Sequence, residues 1–61
     1  MANRVSWNEL TELQKEYAID NYAAIREAEE EAPCDPDRAK EMAPLCRAYY
    51  VENDGSVTVD I

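Results

Sequence analysis

The sequence predicts an α+β fold: a long N-terminal helix, a short second helix and a C-terminal β-hairpin, in one small domain over residues 1–61. Three observations predict it. From Glu12 to Ala32 the chain runs without Gly or Pro and is rich in Ala, Glu and other good helix formers. Asp35-Pro36 supplies a second helix start, with a capping acid followed by a proline whose missing N–H costs nothing at the first helical position. Finally, β-branched and aromatic residues flank Asn53-Asp54-Gly55, a turn signal between two short strands. At 61 residues there is no room for a second domain, and a chain of this size buries only about 60% of its unfolded surface.

The first helix begins near Glu12. Thr11 can cap it, Gln14 can return the bond in capping-box fashion, and Leu10 can staple onto the first turn near Lys15. Ser6 and Glu9 repeat the box pattern one turn earlier, so Trp7 to Leu10 is expected as a short helical turn that folds the indole back over the main helix. Pro33 stops the helix, because the residue before a proline is pushed out of the α region. At about 100° per residue, Leu10, Leu13, Tyr17, Ala24 and Ala28 form the expected core face, extended by Ala18, Tyr22 and Ile25. Glu12, Glu16, Asp20, Glu27 and Glu30, with Glu31 at the margin, form an acidic ridge that this reading sets on the opposite side.

The second helix opens at Pro36. Pro44 falls inside its pattern, so the helix either ends near Met42 or kinks and continues through Arg47, and a helix of about two turns is the preferred reading. Met42 and Leu45 are assigned to the core. In the hairpin, a two-residue loop would oppose Val51 to Thr58 and mix the two faces. A three-residue loop instead pairs Val51 with Val57 and Tyr49 with Val59, gathers Tyr49, Val51, Val57, Val59 and Ile61 on one apolar face, and puts Gly55 at the left-handed position of a type I turn with a G1 bulge. An isolated hairpin is marginal in water, so that face must pack on a helix or on another copy of the protein.

Composition narrows the function. Fourteen Asp and Glu against six Lys and Arg, with no His, give a net charge of −8, which repels phosphate backbones and anionic membranes and opposes direct nucleic-acid binding. Absence of histidine removes the commonest general base and metal ligand. One glycine cannot build a phosphate-cradling loop, and Glu52-Asn53-Asp54-Gly55 lacks the alternating ligands of a calcium loop. The protein is therefore expected to be no enzyme and to use no cofactor or metal. Cys34 and Cys46 fit neither a CxxC motif nor a zinc site; they read as small half-buried thiols, with one intramolecular bridge as the alternative. No apolar stretch has the length of a membrane span or the form of a signal peptide, so a cytoplasmic protein is expected.

Electrostatics of the first helix are its most specific signal. Glu12/Glu16, Glu16/Asp20 and Glu27/Glu31 are like-charged pairs four apart, each worth about 0.2–0.5 kcal/mol of destabilisation. Glu29, Glu30 and Glu31 sit at the helix C-terminus, where the macrodipole disfavours anions. Carboxylates about 6 Å apart along roughly 28 Å of helix would present a nucleic-acid-like row of charge to a protein with a Lys/Arg groove. Tyr22, Tyr50 and Trp7 are the candidate aromatic anchors beside that row, although Trp7 reads more readily as core. The plainer alternative is a solvated face that keeps a small protein soluble.

The segments Trp7-Asn8-Glu9-Leu10-Thr11-Glu12-Leu13-Gln14 and Ala18-Ile19-Asp20-Asn21-Tyr22 resemble the helix starts of small acidic proteins of phages and mobile elements, over about the first third of the chain. Among such proteins, the chain is most similar in size, acidity and lack of catalytic residues to anti-CRISPR inhibitors. That resemblance implies a DNA-mimic-like inhibitor in the cytoplasm of a bacterial host, bound to the basic nucleic-acid-binding surface of a CRISPR-Cas effector or similar defence protein. The residues expected to meet the partner are Glu12, Glu16, Asp20, Glu27, Glu30, Glu31, Tyr22 and Tyr50, with the protein a monomer or a homodimer. Two alternatives stand beside it: an assembly module that homodimerises through a hairpin edge or apolar patch, and an antitoxin-like partner of a basic toxin.

Overall fold

The computed structural model describes residues 2–61. One long helix, α1 (Glu12–Glu30), and a short one, α2 (Pro36–Met42), stand with an antiparallel sheet of strands β1 (Asn3–Val5), β2 (Ala48–Val51) and β3 (Val57–Asp60), in the order β1-β2-β3. The first strand is an addition to the expected hairpin. Three residues, Asn-Arg-Val, give no alternating pattern of their own, and β1 exists because its register on β2 (Asn3 opposite Val51, Arg4 opposite Tyr50, Val5 opposite Tyr49) satisfies a strand edge.

Between β1 and α1 the chain makes the expected 3₁₀ turn, Trp7–Glu9, where the Ser6 N–H donates to Glu9 Oε2 at 2.7 Å. The turn brings the Trp7 ring against Tyr49 of β2, with centroids 5.5 Å apart and planes tilted by 53°, while from the main helix, over which it was expected to fold, Lys15 Nζ lies 5.6 Å from its centroid. Trp7 is thus half-buried, neither free anchor nor full core. The capping box of α1 forms as expected: Gln14 N–H donates to Thr11 Oγ1 at 3.1 Å, and Thr11 N–H donates to Gln14 Oε1 at 2.9 Å. The helix ends two residues before the expected Ala32. Ala32 precedes Pro33 and is disfavoured in the α region, and Glu31 closes the helix in the left-handed conformation (φ 53°, ψ 33°), which turns the chain back toward α2.

Asp35 caps α2 by accepting the Asp37 N–H at 2.9 Å. Pro44 lacks the N–H needed to continue an α-helix, so the chain tightens into a 3₁₀ turn, Ala43–Leu45, before β2. Ala39 and Ala43 are the buried residues of this segment. Met42 and Leu45, expected in the core, are exposed, Leu45 at 73%, because small alanines mediate the contact with α1. Cys34 and Cys46 are free thiols at the two ends of this segment. The intramolecular bridge that the sequence left as an alternative is not formed.

The hairpin adopts the three-residue loop. Val51 pairs with Val57 and Tyr49 with Val59; Glu52 N–H donates to Ser56 O at 2.9 Å, Gly55 N–H to Glu52 O at 3.0 Å, and Gly55 has φ 89°. Asp54 Oδ1 accepts from both the N–H and the hydroxyl of Ser56, which holds its carboxyl below the usual range. The apolar hairpin face packs inward, with Tyr49, Val57 and Val59 buried, Val51 half-buried and only Ile61 largely exposed. Its cover is α1, so a second copy is not needed for that purpose.

The core closes around Leu10, Ala18, Tyr22, Ala39, Ala43, Tyr49, Val57 and Val59. Two polar ties fix its layers. The Tyr49 hydroxyl donates to the Ala43 carbonyl and accepts from Cys46 N at 3.3 Å, locking β2 to the 3₁₀ turn. Burial raises the pKa of Tyr49, and burial also raises that of Cys46 against the lowering effect of its bond to Tyr49. Asn21 Oδ1 accepts Val59 N–H at 2.9 Å, which satisfies an outward amide on the β3 edge from the middle of α1.

Candidate functional site

The buried stripe of α1 is Ala18 and Tyr22, flanked by half-buried Ile25, Ile19 and Asn21. The expected stripe of Leu13, Tyr17, Ala24 and Ala28 is exposed, with Leu13 at 56% and Tyr17 at 40%. Its centre lies about 120° around the helix from Ala18/Tyr22/Ile25. Alanine at position 18, wholly buried, lets the helix axis approach the sheet, and Asn21 can meet the Val59 amide only in this rotation.

Glu16, Asp20 and Glu27 lie about 170° around the helix from Ala18, Tyr22 and Ile25, so the acids do stand opposite the face that is buried. Helical spacing alone sets Glu16, Asp20 and Glu27 about 70° from the Leu13/Tyr17 stripe rather than opposite it, and with the core elsewhere both rows share the outward side of α1. The outer surface of the helix thus carries two parallel rows, one of carboxylates and one of apolar side chains.

The acids are not equivalent. Glu12, with its side chain 96% exposed, lies 3.8 Å from Lys15 Nζ. Glu30 meets Arg26 at 2.7 Å and Glu29 meets it at 3.4 Å. Two of the three C-terminal acids expected to oppose the macrodipole are therefore held by one guanidinium a turn earlier, an i,i+3 and i,i+4 arrangement that offsets that unfavourable placement. Glu27 is exposed and its Oε1 accepts the Cys34 N–H at 3.2 Å. Glu16, Asp20 and Glu31 are exposed and form no ion pair among the described residues. Glu16 and Asp20 are one turn apart in the middle of the helix, which makes them the bare centre of the row.

Neither tyrosine expected beside the row stands there. Tyr22 is buried at 4% exposure between α1 and the sheet, so it is a core residue and no anchor. Tyr50 is half-buried and does point away from the apolar hairpin face, in the cross-strand row Arg4, Tyr50, Thr58. That row is on the sheet surface turned away from α1, so in a molecule of 30 × 20 × 18 Å, Tyr50 and the acids occupy opposite sides. The apolar groups that do flank the carboxylates are Leu13 and Tyr17. A helical wheel shows them next to the acids, and only the choice of core face hid their exposure.

Among the described residues there is no cavity, no group of three or more acids or cysteines placed to hold a metal ion, and no helix long and apolar enough to cross a membrane. The arrangement offers binding by surface contact. Compared with known proteins, the chain matches no family model, no curated protein and no solved structure.

Proposed function

We propose that this protein is a non-catalytic inhibitor that binds the basic, nucleic-acid-binding surface of another protein through the outer side of α1. A CRISPR effector or a comparable bacterial defence protein is the target class to which its resemblance to small acidic phage proteins points. One observation carries the reading: Glu16 and Asp20 stand exposed at the centre of α1 with none of the protein's own cations on them among the described residues. Unpaired carboxylates in a net charge of −8 attract a cationic surface, speed association and make binding salt-sensitive.

Binding to a panel of purified CRISPR effectors, with and without competing DNA, tests this. Expected are capture that DNA competes away, steep weakening with salt, and loss of binding in the triple variant Glu16→Lys, Asp20→Lys, Glu27→Lys. Binding that survives this reversal, or absence of binding across the panel, defeats the reading.

A further inference from the structure

The geometry points to a more specific partner for this face: an amphipathic helix of the target protein, with an apolar stripe flanked on one side by Lys and Arg, lying along α1 from Leu13 to Ala28. This rests on the acidic reading above and adds an apolar anchor to it.

A charge mimic alone needs no apolar side chains, yet Leu13 and Tyr17 stand one turn apart in solvent beside the carboxylates. Farther along the same stripe, Ala24 and Ala28 are exposed and small. The row of about 22 Å therefore offers two projecting side chains followed by two shallow positions, which suits a helix that inserts its own large residues over the alanines and receives Leu13 and Tyr17 between its smaller ones. The acids lie along one flank only. The other flank carries Asn21 and Gln14, which are neutral, so the partner's cations must lie on a single side.

Charge selects among the possible occupants. A second copy bound antiparallel through this face would set Glu16, Asp20 and Glu27 against their own equivalents, and one bound parallel would offer them only the neutral flank of Asn21 and Gln14, with no cation to meet them. Anionic lipid and nucleic acid meet the same repulsion. A cationic amphipathic helix is complementary in both charge and apolarity.

Fluorescence anisotropy with three labelled probes tests the assignment: a Leu/Lys peptide patterned as an amphipathic helix, a scrambled peptide of identical composition, and oligolysine of the same charge. The patterned peptide is expected to bind at least about tenfold more tightly than the scrambled one. In the double variant Leu13→Gln, Tyr17→Gln that margin should vanish while oligolysine binding remains. Both positions are exposed and glutamine is a good helix former, so the variant should keep its thermal midpoint. Equal binding of patterned and scrambled peptides, or a margin that survives the double variant, overturns this inference and leaves the acidic reading standing. Oligolysine binding unaffected by Glu16→Lys with Asp20→Lys defeats the acidic reading itself, and no binding of any probe defeats both.

Discussion

Replacing Glu31 with glycine should stabilise the protein, and the structure supplies each contribution. Glu31 closes α1 at φ 53° and ψ 33°, a conformation in which the Cβ of an L-residue crowds the following carbonyl at a cost of about 1–2 kcal/mol. Glycine removes that cost and gives back about 0.5–1 kcal/mol through the greater freedom of the unfolded chain. Loss of a carboxylate at the negative end of the helix dipole adds about 0.3 kcal/mol, the low end for an exposed group. The net gain is about 1 kcal/mol, or about 4–8 °C in thermal midpoint for a domain of this size.

Glu31→Gln separates the two causes, since it removes the charge and keeps the strained backbone, and it should gain only the dipole contribution. Thermal and urea unfolding followed by circular dichroism at 222 nm, the usual helix wavelength, would read both variants side by side. If Glu31→Gly proves no more stable than Glu31→Gln, the left-handed closure of α1 does not carry the strain assigned to it.

Tyr49→Phe removes the hydroxyl that ties β2 to the Ala43 carbonyl and to Cys46 N; it should cost about 1 kcal/mol in urea unfolding, because the Cys46 N–H keeps its bond to Ala43 O at 3.3 Å. Asn21→Ala should cost a similar amount, about 1 kcal/mol, and amide exchange should show protection lost at Val59 more than at its β3 neighbours. Burial raises the pKa of both Cys46 and Tyr49, so the folded state favours their neutral forms. Their contribution is then complete below the unfolded values, about 8.5 for the thiol and about 10 for the phenol, and is lost as pH rises through the folded ones. Thermal midpoints should be flat around neutrality and fall in the alkaline range, with a smaller fall in Tyr49→Phe.

Local chemistry was legible in the sequence wherever one side chain answers one backbone group. Thr11 with Gln14, Ser6 with Glu9, Asp35 with Pro36, and Gly55 in its turn all form as their spacing predicts. The hairpin register was legible because only one loop length keeps Tyr49, Val51, Val57 and Val59 on one face. Strand β1 was not, since three residues at a chain end acquire their conformation from β2. Nor was the rotation of α1. Apolar residues lie on two stripes of that helix, Leu13/Tyr17/Ala24/Ala28 and Ala18/Tyr22/Ile25, and the expected core face takes in both, with Leu13 and Tyr17 at its centre. The choice is made by groups distant in sequence: the sheet surface that needs a close-approaching alanine, and the Val59 amide that needs Asn21.

That same rotation separates the two tasks of α1. Had Leu13 and Tyr17 been buried, the acids would border the core, and every charge reversal would disturb packing together with the surface. As it stands, Ala18 and Tyr22 hold the helix to the sheet, while Glu16, Asp20, Leu13 and Tyr17 occupy the outward side and touch none of the central core contacts. Substitutions of exposed residues away from core contacts usually stay within about 0.5 kcal/mol of neutral, so binding through the outer side can be altered while the fold is kept. The C-terminal acids differ. Glu29 and Glu30 are held by Arg26, whose side chain is only 29% exposed, so they belong to the helix end, and the surface left for a partner narrows to the stretch between Leu13 and Ala28.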